Sequence, residues 1–194
     1  MNAVADTNKE KLTNIEWLGQ QLRAKTANYE AGIPSTGGVP VNWEDRCGAI
    51  AMLPNDETKA YASILVWGDY RNNTEQYALV TNYIADYVWR MAQEEMDKQR
   101  ETFDMKKFCW HVARMELFYC LRPKLRKYHT LEGRLVFSGI DYIKPDTYSK
   151  RYSWLGEAVG LLLEELKSEI EHCVKKYRKD LCGGGIDCLN GFKV

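Results

Sequence analysis

From Tyr148 to Tyr177 the chain places an apolar residue at every third or fourth position: Tyr148, Tyr152, Leu155, Val159, Leu162, Leu166, Ile170, Val174 and Tyr177. These spacings match the 3.6-residue turn of an α-helix and put all these side chains on one stripe. A half-buried strand would need period-2 alternation, which is scarce anywhere in the sequence. The stripe predicts one long helix that begins after Pro145, with Asp146 or Thr147 near its N-cap. It ends at Cys182, because the glycines that follow cannot hold helical backbone. A stripe of about 30 residues exceeds what one small domain need cover, so a homodimer formed along it is one expectation.

The rest of the chain also reads as helices. Thr13 and Glu16 form a capping box ahead of Ile15, Leu18 and Leu22, in a helix that extends as far as Tyr29. Gly32 to Pro40 combines glycines and prolines and must be a loop. Asn42 caps a short helix with Trp43, Cys47 and Ile50; the break at Pro54 then leads to a helix from Glu57 to Trp67, closed by Gly68. Asn73 or Thr74 opens a long helix with Tyr77, Val80, Ile84, Tyr87, Val88 and Met91 on one side. Asp104 caps the next, and Pro123 stops it, since proline has no amide to donate and restricts its predecessor. A short helix from Leu131 to Ser138 ends at Gly139. The expected fold is all-α, a multi-helix domain with a long C-terminal helix.

Composition narrows the function classes. The chain has 194 residues, 45% of them hydrophobic, enough to bury a substantial core. The longest apolar runs, Ala60 to Trp67 and Val159 to Leu163, are too short to span a bilayer. The first residues contain no apolar signal-peptide core, so the expectation is a cytoplasmic protein with reduced cysteines, not a disulfide scaffold.

Net charge is zero, with 27 basic and 27 acidic side chains, but the charge is segregated. Residues 1–100 carry 10 basic and 14 acidic groups, whereas residues 105–151 carry 11 and 4. Either the basic stretch meets an anion, or it is a solvated face with no ligand. Within it, the Leu131–Ser138 helix, the turn at Gly139 and the helix opening at Pro145 outline a helix-turn-helix, whose second helix would enter the major groove of DNA. Lys144, Thr147, Ser149, Lys150 and Arg151 fall on its exposed first turns, with Tyr148 and Tyr152 turned inward. Arg and Lys reach guanine edges or phosphates, and hydroxyls serve either. Arg122, Lys124, Arg126, Lys127 and Arg134 would add backbone contacts. The turn to Lys144 is longer than the tight form, and a plain helical hairpin with solvated charges is the alternative.

The segment from Ile143 to Tyr152, running into a Leu-rich helix, resembles the recognition-helix region of phage late-gene antiterminator Q proteins. Their pattern of proline followed by Thr, an aromatic, Ser and a basic residue is matched by Pro145, Thr147, Tyr148, Ser149 and Lys150, with Asp146 as an extra residue. The resemblance implies a non-enzymatic transcription regulator that binds double-stranded DNA at a specific site and is loaded onto RNA polymerase. One branch of that family carries a pair of Cys-x-x-Cys zinc motifs, and this chain has none. No polymerase-contacting residue is carried over.

Other constellations point to little chemistry. Cys173, Cys182 and Cys188 with His172 match no zinc-binding spacing, and adjacent His172 and Cys173 point about 100° apart on a helix. Cys173, Cys109 and Cys120 read as small buried hydrophobes. His111 and His129 have no nucleophile motif beside them, and Glu164, Glu165, Glu169 and Glu171 read as the wet side of the last helix. Thus no enzyme, metal or cofactor is expected. The abundant aromatics either fill the core of a small helical protein or form a protein-binding surface, since aromatic residues concentrate at interface centres; Trp43, Trp67, Tyr70 and Tyr83, in the acidic half, are the candidates for the latter. The organisation expected is an acidic, aromatic protein-binding region over 1–100, a basic helix-turn-helix-like region with the long helix over 101–181, and a flexible tail over 182–194. A non-enzymatic inhibitor or adaptor, working through the acidic half on a host complex, is the rival expectation.

Overall fold

The computed structural model describes residues 13–22, 43–67, 73–95 and 103–183. Among these residues there are nine helices and no strand. In chain order they are α1 (Asn14–Leu22), α2 (Trp43–Ala51), α3 (Asp56–Trp67), α4 (Thr74–Glu95), α5 (Met105–Leu121), α6 (Pro123–Tyr128), α7 (Leu131–Ser138), α8 (Pro145–Arg151) and α9 (Ser153–Gly183). The fold is all-α, as the periodicity required. The loop expected at 32–40, the stop at Gly68 and the tail beyond Gly183 lie outside the described residues.

The local signals act as their chemistry dictates. The Thr13 backbone N–H donates to Glu16 Oε2 at 2.9 Å, and the Glu16 N–H donates to Thr13 Oγ1 at 3.2 Å, which closes the capping box. Asp104 accepts from the Lys107 N–H at 3.1 Å. Pro123 occupies the first turn of α6, where no amide is needed. Gly139 adopts φ 82°, and Ile140 N–H reaches back to Leu135 O at 2.8 Å while Gly139 N–H reaches Val136 O at 3.0 Å. This is a Schellman motif, and only glycine takes its left-handed position without strain. Leu135 and Ile140, the pair that such a motif brings together, are both buried.

The long final helix is corrected by the structure. It is broken at Tyr152, which leaves the helical region at φ −128°, ψ −2°. The break follows from competition for the core. Tyr148 and Tyr152 are both drawn onto Phe108, with ring centroids 6.3 and 5.0 Å away, and Tyr152 also meets Phe103 at 6.1 Å. Trp154 stabilises the break, because its indole N–H donates to the Arg151 carbonyl at 3.0 Å, taking up an acceptor freed at the end of α8.

α9, about 46 Å long at 1.5 Å per residue, is the mast of the fold. Helices α1 to α5 all pack on it, and α4 runs along α5. Leu155, Val159, Leu162, Leu163, Leu166, Ile170 and Val174 are buried there, each stabilising by about 1.5–3 kcal/mol. The stripe is covered within one chain, so its length no longer calls for a twin. One cluster of buried side chains runs from Trp17 to Val174, continuous across residue 100. Gly48 lets α2 come close to α9, since a methyl there would strike the Tyr177 hydroxyl. Among the described residues no helix is long and apolar enough to cross a membrane.

Of the four glutamates assigned to the wet side of α9, Glu164 and Glu165 are exposed, but Glu169 and Glu171 are not. Glu171 accepts from the Asn14 and Ile15 N–H groups at 3.2 Å each, capping α1 from another helix. Arg178 joins the same contact, donating to Asn14 Oδ1 at 2.6 Å and lying 4.9 Å over the Trp17 ring. Glu169 accepts from the fully buried Thr58 hydroxyl at 2.9 Å. Periodicity puts these carboxylates off the Leu stripe, but the flanks of a helix ringed by neighbours are also covered.

Candidate nucleic-acid interface

Helices α6 and α7 pack on α5, α7 on α8 and α8 on α9. α6 follows the C-terminal end of α5, while Tyr148 of α8 and Tyr152 just after it meet Phe108 near the start of α5. None of the α6 residues is buried, and α7 contributes Leu135 and Ser138 to the interior, so this is a thin layer laid over the core. The helix-turn-helix outline is present as α7, a turn plugged by buried Ile140 and Ile143, and α8. On α8, Tyr148 and Tyr152 face inward, while Lys144, Ser149, Lys150 and Arg151 are exposed and Thr147 is half-buried. With seven residues α8 gives two turns and no more.

The arginines upstream are placed differently from the lysines. Arg126 donates to Glu116 Oε2 at 2.6 Å, and Glu116 is only 6% exposed. The Arg122 guanidinium lies 4.7 Å over the Phe118 ring, and that of half-buried Arg134 lies 5.8 Å from the Tyr119 ring. These three side chains brace α5, α6 and α7 against each other. Lys124 and Lys127 are exposed on α6. Of the predicted backbone-contacting residues, then, the lysines face solvent and Arg126 is engaged by a carboxylate.

Two features of this layer were not foreseen. Val136 and Phe137 on α7 are 59% and 54% exposed, and Tyr128 on α6 is exposed more fully, so apolar surface lies beside the basic groups. Glu116 was missed altogether, although a carboxylate in the apolar run from Val112 to Tyr119 is a visible anomaly. The histidines are structural in placement. His129 shares a 2.8 Å hydrogen bond with the Tyr119 hydroxyl. His111 packs beneath Gly139, and burial holds its pKa below the usual histidine value.

A second region, further along α9, is acidic. A groove of about 1010 Å³ between α3, α4 and α9 is lined by Glu57, Glu165, Glu169, Tyr83 and Tyr87. Burial, followed by the carboxylates of Glu57 and Glu165, raises the Tyr83 phenol pKa. Half-buried Tyr83 thus lines this groove, and Trp67, 40% exposed, closes α3. The Trp43 side chain and Tyr70 lie outside the described residues, as do the Cys182 and Cys188 side chains. Among the described residues no three His, Cys, Asp or Glu side chains gather to hold a metal ion.

The cysteines divide. Cys109 is fully buried, and burial pushes its thiol up to about 12. Cys173 is half-buried. Cys120, expected to be buried, is exposed, with its sulfur 3.9 Å from the Tyr61 hydroxyl. Comparison of the chain with protein-family models, with curated proteins and with solved structures finds no match.

Proposed function

We propose that the protein is a DNA-binding regulator of transcription that meets duplex DNA through α6 to α8. One observation carries this reading: α8 is pinned by Tyr148 and Tyr152 while Lys144, Ser149, Lys150 and Arg151 project from it to solvent. Such an arrangement holds hydrogen-bonding and cationic groups on a fixed helix, the geometry that base-edge and phosphate contacts need. The resemblance to phage late-gene antiterminator Q proteins supports the finer reading, a cytoplasmic, non-enzymatic antitermination factor that acts on RNA polymerase. Zero net charge is consistent with a protein that relies on a specific site or a partner instead of coating DNA.

The test is DNA selection followed by gel shifts with and without RNA polymerase. Replacing Lys150 and Arg151 by Ala should abolish site-specific binding at moderate salt while leaving the fold intact. Affinity should also fall steeply with salt, because each phosphate contact releases counterions. Unchanged binding by the double variant, or a flat salt response, would sink the assignment.

A second reading has its own support in the acidic groove. Carboxylates flanking Tyr83 and Tyr87 suit a basic partner segment, as in an inhibitor or adaptor of a host complex. Recovery of one stoichiometric protein from nuclease-treated extract, lost on replacing Glu165 and Tyr83, would favour it over the DNA reading.

A further inference from the structure

Between α5, α7, α8 and α9 lies a cavity of about 390 Å³, within the range of small-molecule sites. Its wall on α9 is bare because Gly156 and Gly160 stand there. A Cβ on Gly156 would come within 3.0 Å of Glu116 Oε1 and 3.5 Å of the Tyr148 hydroxyl, and Gly160 has open space around it. Tyr148 is only 4% exposed, yet its hydroxyl has no hydrogen-bond partner, and neither does the buried Nε of Arg134. Buried polar atoms are nearly always satisfied, so two orphans at one cavity indicate something that should fill it. We propose that this cavity binds a small phosphorylated molecule.

The unmet groups define the ligand's chemistry. Arg134 Nε–H can only donate, and a phenol that keeps its proton donates as well. Burial and the nearby Glu116 carboxylate both keep Tyr148 protonated. Ser149 and Ser153 add hydroxyls along the same wall. Glu116 is already balanced by Arg126 at 2.6 Å, and Glu157 turns to solvent at the rim. The two unmet atoms are therefore both donors, with the Arg126 and Arg134 guanidinium groups beside the space, a set that complements phosphate oxygens next to a Glu116 carboxylate whose Oε2 Arg126 already holds. The site shares Ser149 and Arg134 with the surface proposed to meet DNA, but its phosphate binding needs no duplex.

Inorganic phosphate is the probe. It is titrated into ¹⁵N-labelled protein at ionic strength held constant with sodium chloride, following amide shifts. Saturable shifts at Arg134, Ser153 and Gly156 are expected. Tyr148→Phe, which keeps the ring and removes only the hydroxyl, should weaken binding about tenfold. Gly156→Ala, which fills the space, should weaken it further, and Ser153→Ala provides a variant at a half-buried position should either of these unfold. Non-saturating shifts spread over exposed lysines would mean an adventitious ion only, and would overturn the proposal. So would equal affinity in all three variants. Shifts at these amides with a duplex oligonucleotide but not with phosphate would assign the cavity to the DNA backbone, and would overturn it equally.

Discussion

The basic layer and the acidic groove lie on the same core but handle charge in opposite ways. Around α6 to α8, Arg126 is paired with Glu116, and Arg122 and Arg134 lie over aromatic rings, so three of the eleven basic groups of residues 105–151 help hold the layer together. In the acidic groove Glu57, Glu165 and Glu169 lie together, and burial, followed by the Glu57 and Glu165 carboxylates, raises the Tyr83 phenol pKa. The counts along the chain make the first region look like the stronger electrostatic surface. In space the two regions differ in use: three guanidinium groups serve as struts in one, while in the other Glu57, Glu165 and Glu169 share a groove beside Tyr83, where the Arg90 guanidinium opposes them. Segregated charge in a sequence therefore measures potential for a surface, and pairing decides how much of it survives folding.

That contrast can be broken or sharpened by substitution. Phe108→Ala removes the ring that Tyr148, Tyr152 and Phe103 all meet. It should cost about 4 kcal/mol in denaturant unfolding, and hydrogen exchange should rise in α8 before it rises in α3. Arg126→Met leaves the Glu116 carboxylate buried without its cation. The expected loss is about 2 kcal/mol, below that of a fully buried pair because solvent reaches Arg126. A loss near zero would show that Arg126 is surface charge after all, and would restore the simple reading of the basic segment.

On the groove side, Glu165→Gln relieves repulsion and should stabilise by about 0.5 kcal/mol. It should also lower the Tyr83 phenol pKa, followed by ultraviolet titration, with both changes shrinking in high salt. The smallest effect concerns pH. His111 has a folded pKa below its unfolded value of 6.5, so the unfolded chain binds the proton first. Its contribution is complete above about pH 6.5 and is lost as pH falls from there through the folded value. His111→Gln should flatten that part of the stability profile.

Much of the fold was legible because its signals are local. The capping box at Thr13 and Glu16, the Asp104 cap, the stop at Pro123 and the left-handed Gly139 all rest on interactions within five residues, and all are present. Tyr148 and Tyr152 facing inward was likewise readable from spacing. The break at Tyr152 was not, because it depends on Phe103 and Phe108, which lie far away in sequence. Glu169 and Glu171 were misread for the same reason: their partners, Thr58 and the first turn of α1, are more than 100 residues distant. Of the candidate interface, the residue types were legible, but whether each was spent on the fold was not. The orphaned Tyr148 hydroxyl could be seen only once α5, α8 and α9 were assembled around it.

The cap that Glu171 places on α1 has a bearing on how the chain comes into being. Synthesis delivers α1 before α9, so the amides of Asn14 and Ile15 are received by a carboxylate that leaves the ribosome about 157 residues later. Until then α1 has its own capping box and no mast to lie on. Helix α1 can settle on α2 and α3 as they emerge, but the second acceptor for its first amides and the Arg178 cover over Trp17 arrive only with α9.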